Sequence, residues 1–454
     1  MYPENVAAGA RTVAGVASHF VALKARATHL LQTLEIGKRG YFTPTEDEQV
    51  RHLLVSYSQA RNALIELVFD FRHDTGLQNE HRPAGFLVAF AAALALIDAA
   101  RFLRENLHHR PHVRAKLNEP EPHFGIRQGT YDAVQASLTN PIHVWHLYHA
   151  VQYFNEHQAD LRELGRQELF APLIATIDGL QARLDVGIVT YSVARVRLRT
   201  RQLFTAVSRD LLHRALYGLQ KLAGELIANV YVKRDHRPQL PEAIAAKLRR
   251  VLRPGDVLVT RKEHALTNYF LPGYWPHAAL YLGDSQQLQG LGIEGHANLV
   301  PRWRRLLECD PHEPGRVLEA MKDGVWIRSL SSPFTVDAIA VVRPRLEPRE
   351  IAEALTRGLF HEGKQYDFDF DFTRSDRLVC TEVVYRSYAG VGGMQFALTR
   401  RAGRLTLSAE DLIQMALARV HFEPLAAFCP QRRADLLMGN EAEQVLRETQ
   451  LGTK

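Results

Sequence analysis

The apolar residues of this chain change period once, near residue 252, and that change sets what the chain can fold into. Before it the period is helical. The stretch "VSYSQARNALIELVFDF" sets Tyr57, Ala60, Leu64, Leu67, Val68 and Phe71 three and four residues apart, which builds one apolar helix face. Similar patterns run over 6–34, 83–107, 130–157 and 167–232, with few glycines, and predict an elongated helical bundle. After the change, "DVLVT", "HAALYLG", "RVLEAM" and "DAIAVVRP" are short β-branched or alternating runs bounded by Gly, Pro and Asp. Helical spacing returns in "PREIAEALTRGLF", in "VCTEVVYRSYAG" and in "SAEDLIQMALARVHF", where Ser408 is the expected N-cap.

The expected architecture is therefore α+β: a helical domain over 1–235, a linker over 236–254 that holds Pro238, Pro241, Pro254 and a short helix, a domain with a small antiparallel sheet over 255–430, and a C-terminal tail over 431–454. A chain of 454 residues exceeds one ordinary core, which agrees with two domains. With 46% hydrophobic and 23% charged residues it has a globular composition. A net charge of +6 is mild for this length, and without a zinc-finger spacing, Walker loop or RNA-binding aromatic motif nucleic acid is not expected as a partner.

Three cysteines at wide spacing argue against a disulfide framework and for a reducing compartment. The first residues, with an early Glu4, do not read as a secretory signal, so a cytoplasmic location is expected, with peripheral membrane contact as the alternative. The Ala-rich stretch 84–100 falls short of the roughly 18 residues that suggest a span and reads as a buried helix, or else as a membrane-contacting one. His143, His146 and His149 share a helix face, but no acidic or cysteine ligand accompanies them, so a polar face is expected rather than a metal site. Arg195, Arg197, Arg199 and Arg201 make a solvated basic surface, or a contact for anionic lipid or another acidic partner.

Cys309, between Glu308 and Asp310, and Cys429, after an apolar run, are poor nucleophiles. Cys380 differs. Ser375 or Asp376 is its expected N-cap, and the cysteine falls in the early turns of a helix, where free N–H groups and the dipole favour an anion. Position alone leaves it balanced against a buried small hydrophobe. His277 opens a strand after "PGYWP", where a lone histidine is usually structural. Pairing raises it, because a thiol on one rigid element and an imidazole on another make a Cys/His site once a third polar group orients the ring. If "RVLEAM" is the neighbouring antiparallel strand, Glu319 comes beside His277; its alternative is a buried salt bridge to an arginine. Aromatic residues crowd both motifs: Tyr269, Phe270, Tyr274 and Trp275 ahead of the histidine, Phe368, Phe370 and Phe372 ahead of the cysteine. They line a cleft or fill a core.

The blocks "PGDVLVTRKEHALTNYFLPGYWPHAALYLGD", "RVLEAMKDGV" and "QYDFDFDFTRSDRLVCTEVVYRSY", over about residues 250–390, resemble the permuted papain-like hydrolases of the NlpC superfamily, the YiiX/YebB-like group. In that group a strand opening with Gly-Asp is followed by a W-x-H histidine, a strand with a Glu-Ala pair and a C-[ST]-E cysteine at a helix start. Histidine before cysteine marks the permutation. The resemblance implies Cys380 as nucleophile, His277 as base, Glu319 as the group that orients it, and Tyr366 as a hydroxyl that helps bind an oxyanion, with simple packing as the alternative for Tyr366. No cofactor or metal is implied.

The chain departs from compact members by the polar insertion around "EGHANLVPRWRRLLECDPHEPG" and by the expected lack of a signal peptide, which counts against a cell-wall peptide. The expected activity is thiol hydrolysis of a peptide-like amide through a thioacyl-enzyme. The alternatives are a lipid acyl ester or thioester hydrolase or acyltransferase at a membrane surface, and a non-catalytic scaffold whose helical domain meets a membrane or a protein partner.

Overall fold

The computed structural model describes residues 2–73, 79–121, 126–138, 141–181, 238–263, 273–401 and 404–451. The chain divides into two compact units. One comprises 1–122 and 126–232, the other 123–125 and 233–454.

The first unit is helical, with α1 (Glu4–Thr33), α2 (Pro44–His73), α3 (Arg82–Leu107), α4 (Pro111–Leu117), α5 (Thr130–Leu138), α6 (Pro141–Glu156), α7 (Gln158–Leu164) and α8 (Ala171–Gln181). The apolar face read from the sequence is the buried face of α2, where Tyr57, Ala60, Leu64 and Val68 lie in the core. Pro141 breaks the expected 130–157 helix into α5 and α6, because its ring cannot follow a helical residue without a clash. The Ala-rich stretch extends at both ends into the 26 residues of α3, and α1 and α3 are each long and apolar enough to cross a membrane. The most apolar window of α3 is 78% buried inside the unit. Its carboxylate Asp98 is paired there with Lys24 of α1. The side chains of Phe71, His143 and His146 and the whole of the Arg195–Arg201 run lie outside the described residues.

The second unit is built on a seven-stranded antiparallel sheet, larger than the small one expected. It opens with α9 (Glu242–Val251), β1 (Val257–Arg261), β2 (His277–Gly283), α10 (Ser285–Gly290) and α11 (Trp303–Glu308). There follow β3 (Arg316–Met321), β4 (Gly324–Ser329), α12 (Ser331–Phe334), β5 (Ala338–Pro344), α13 (Pro348–Leu359), β6 (Gln365–Tyr366), β7 (Arg377–Leu378) and α14 (Cys380–Tyr388). The unit closes with β8 (Thr399–Arg401), β9 (Arg404–Thr406), α15 (Ala409–Leu417), β10 (Phe422–Cys429), β11 (Arg433–Met438) and α16 (Gly439–Leu451). The strand order is β11-β10-β5-β1-β2-β3-β4. Residues 431–451, expected as a tail, are an edge strand and a helix whose Ala442, Val445 and Leu446 enter the main core.

The central strands are buried on both faces, and their two-residue period sorts the core into two layers. Val257, Val259, Ala340 and Val342 face a cluster formed with α13 to α16. Leu258, Ile339 and Val341 face a second cluster formed with α9 and Phe334. Each such Val, Ile or Leu contributes about 1.5–3 kcal/mol by leaving water.

The Gly-Asp pair that opens β1 has a specific task. Gly255 sits at φ 93°, where a Cβ would meet Ile351 of α13 at 2.9 Å. Its carbonyl accepts the buried Tyr388 hydroxyl of α14. Asp256 accepts the Arg253 N–H at 2.8 Å and a two-pronged contact from Arg343 of β5 at 2.8 and 2.7 Å. Close packing of α13 on α14 depends on Gly358, where an added Cβ would come 2.5 Å from the Ser387 hydroxyl. These contacts fix α14 against the sheet, and with it the position of Cys380.

Candidate active site

Cys380 is the first residue of α14 and is 3% exposed. The expected cap is corrected. Val379 occupies the N-cap position with extended backbone and no side-chain cap, because β7 comes between Asp376 and the helix. Asp376 instead pairs with Arg374 at 2.8 Å and Arg377 at 3.3 Å. The first-turn N–H groups of α14 thus meet no capping side chain, and the backbone N–H groups of Thr381 and of Ala278 in β2 favour the charged form of Cys380.

His277 is the first residue of β2 and half-buried. The turn before it is held firmly. Glu410 of α15 accepts the backbone N–H of Tyr274 at 3.0 Å and of Trp275 at 3.3 Å. The fully buried Trp275 indole donates to Thr449 of α16 at 3.2 Å, and the Arg261 guanidinium stacks 4.6 Å from the Tyr274 ring. Glu410 and Thr449 are partners that no local pattern in the sequence marks.

β2 and β3 run antiparallel with Leu280 opposite Leu318. One step further along that register sets Ala279 opposite Glu319, so Glu319 lies diagonal to His277 on the same face. Glu319 is 1% exposed, and its Oε2 is 3.0 Å from His277 Nε2. Arg328 of β4 also lies 3.4 Å from Oε1, the arginine pairing expected as this carboxylate's alternative. The Ser332 hydroxyl donates to the same Oε1. With Nε2 committed to Glu319, the other ring nitrogen is left for the thiol of Cys380, with which His277 interacts both as a charge and as a hydrogen-bond partner.

Burial alone pushes the Cys380 thiol up, but the charge of His277, its hydrogen bond and the two N–H donors outweigh it and hold the thiol below its ordinary value. Burial pulls His277 down, yet Cys380 and Glu319 together raise it to about 10. Burial works against the charged form of Glu319, and the hydrogen bond and charge of His277, with Arg328 and Ser332, bring it to about 2. These shifts all run towards thiolate, imidazolium and carboxylate.

Tyr366 enters from β6. It pairs in parallel with Leu378 of β7, two residues ahead of Cys380. Burial, the thiolate and Asp367 raise its phenol well above its usual value, so it stays a hydroxyl that can donate. Phe368, Phe370 and Phe372 are buried, and the last two belong to the main core; Tyr269 and Phe270 lie outside the described residues. Cys309 is exposed, and burial drives Cys429 up to about 12. Among the described residues no group of three or more His, Cys, Asp or Glu side chains is set to hold a metal ion.

A cysteine at the start of a helix, facing a histidine at the start of an antiparallel strand, is the frame of a papain-like cysteine hydrolase. Residues 251–437 match the family model described as permuted papain-like amidase enzyme, YaeF/YiiX, C92 family. The protein is accordingly a cysteine hydrolase of the amidase class. No curated protein and no solved structure matches the chain.

Proposed function

We propose that the C-terminal unit hydrolyses a peptide-like amide through a Cys380–His277–Glu319 site and a thioacyl-enzyme. The observation that carries this reading is the 3.0 Å Nε2–Oε2 contact between His277 and the buried Glu319, with Cys380 near enough for it and His277 to shift each other's titration.

In the resting pair the thiol proton already resides on His277. The thiolate attacks the amide carbonyl carbon, and the carbonyl π pair moves onto oxygen. The Cys380 backbone N–H and the Tyr366 hydroxyl are the donors for that oxyanion. As the tetrahedral intermediate collapses, the C–N bond breaks and the leaving amine takes the proton from His277. Neutral His277 then removes a proton from water, which attacks the thioester carbonyl. The acid departs and the thiolate–imidazolium pair is restored. Glu319 keeps the ring oriented and favours its charged form.

The test is to incubate the full chain with peptide-amide and acyl-ester libraries and to trap the adduct by mass spectrometry. A peptidyl adduct on Cys380, absent in Cys380→Ala, is expected. A fatty-acyl adduct without any peptidyl one would overturn the amide assignment, and no adduct of either kind would remove the catalytic reading.

A further inference from the structure

Glu319 is held from three sides, and its two oxygens are not equivalent. Oε2 faces His277. Oε1 receives the Ser332 hydroxyl from α12 and lies 3.4 Å from Arg328 Nε. Arg328 reaches it because Glu319 is paired with Trp326 and Val317 with Arg328 across the β3–β4 hairpin, which makes the arginine a diagonal neighbour. The guanidinium is anchored at its other end by Asp323 at 2.5 Å, and the Asp323 carbonyl accepts the Trp326 indole at 2.9 Å.

A buried carboxylate needs a counter-charge, and one arginine would meet that need. The arrangement does more than neutralise. Oε1 takes the Ser332 hydroxyl and faces the Arg328 charge, so the carboxylate cannot turn without losing that hydrogen bond, and Oε2 stays aimed at the imidazole.

We infer that Ser332, backed by Arg328, is a positioning residue that acts through Glu319 to keep Oε2 on the His277 ring. The inference rests on the Cys380–His277 pairing of the proposed function. Without the hydroxyl, Oε1 has only the arginine, and the carboxylate is free to rotate towards it. His277 then spends less time on Oε2, its charged form is less favoured, and the thiolate opposite it is less favoured in turn. The charged and titratable groups around the carboxylate and the pair are Cys380 of α14, Tyr366 of β6, and Arg328 and Asp323 of the β3–β4 hairpin. Replacing Ser332 by alanine leaves all of them in place.

The test needs no substrate. Iodoacetamide labelling of Cys380 in the full chain is followed against pH for wild type, Ser332→Ala and Ser332→Thr, with thermal unfolding of each. In Ser332→Ala the labelling limb is expected to move up by about one pH unit, a roughly tenfold fall in reactivity at pH ~6. Ser332→Thr, which keeps a hydroxyl, restores the wild-type limb. Superimposable wild-type and alanine profiles would overturn the inference. So would a shift that threonine fails to reverse, since that traces to packing. A wild-type limb no lower than an ordinary thiol's overturns the Cys380–His277 pairing instead, which separates the two failures.

Discussion

His277 Nε2 lies 3.0 Å from Glu319 Oε2, and this contact decides which ring nitrogen meets Cys380. In the proposed site the carboxylate fixes the ring and supplies the negative charge that holds the imidazolium. Glu319→Gln keeps the shape and removes the charge. His277, raised to about 10, is expected to fall in this variant, and the Cys380 thiol to rise with it. Because the proposed mechanism needs thiolate and imidazolium together, the alkaline limb of the pH profile is expected to move down and the acid limb up, which narrows the active window. Reactivity on the acid side falls about tenfold for each unit the thiol rises. A pH series of turnover reads both limbs and one of labelling reads the acid limb, and an unchanged window would assign the orienting role elsewhere.

The three thiols differ enough to be ranked. Cys380 is held below its ordinary value by His277 despite burial, whereas burial drives Cys429 to about 12. At mildly acidic pH, iodoacetamide is expected to label Cys380 ahead of Cys309, although Cys309 is the exposed one, and to leave Cys429 untouched until the protein unfolds. Peptide mapping after short exposure reads the order directly.

The Gly-Asp opening of β1 is an ion-pair site as well as a turn. Asp256 is 1% exposed, and burial raises its carboxyl even though Arg343 opposes this. Arg343→Met leaves that carboxylate with only the Arg253 N–H, and the unit should lose about 3–5 kcal/mol. Arg343→Met combined with Asp256→Asn should recover part of the loss, because the stranded charge is gone. Denaturant unfolding of the single and double variants measures both.

The sequence made some of this legible and hid the rest for identifiable reasons. β1, β2, β3 and β5 were readable because each is a β-branched or alternating run between Gly, Pro or Asp. The meeting of His277 with Glu319 was readable from the adjacency of two antiparallel strands, one with a histidine at its start and one with a lone carboxylate. β10 was hidden because Pro424 argues against a strand, and the structure tolerates it where the pairing with β5 shifts register between Pro424 and Ala426. α16 was hidden because the apolar part of its buried face is only Ala442, Val445 and Leu446 in an otherwise polar segment. Ser332, Glu410 and Thr449 meet the site from 13 to 174 residues away in the chain, a relation that local patterning does not carry.

Since α16 packs into the core, removing residues 439–454 is expected to destabilise the whole unit rather than trim a tail. The deletion uncovers Val445 and Leu446 and leaves the buried Trp275 indole without Thr449, two residues from His277. The milder Thr449→Val isolates the polar part. An unmet buried donor costs about 1–3 kcal/mol, so the melting temperature should drop while Cys380 labelling in the folded protein is retained. A truncated protein as stable as the full chain would contradict this packing.

Glu382 gives a prediction with a defined sign. It is fully buried one turn into α14 and touches Arg386 at 2.6 Å. Burial nevertheless wins over that pairing, with Asp367 adding to it, and raises the carboxyl to about 8. A raised carboxyl means that the folded state holds its proton more tightly than the unfolded state. The stability this contributes is fully present below the unfolded value of about 4.5 and is lost as pH rises through the folded value. Glu382→Gln resembles the protonated side chain and cannot ionise. At acidic pH the variant and wild type should therefore unfold at similar temperatures. As pH climbs towards 8 the variant should gain on wild type, and beyond that the difference should level off. Arg386 keeps acceptors in the carbonyls of Phe372 and Arg374, so the loss of its charged partner is cushioned. Melting temperatures of both proteins across that range give the difference directly, and contributions from other groups cancel in it. A variant that instead loses ground as pH rises would mean that Glu382 is ionised at neutral pH and that its pair with Arg386 outweighs burial.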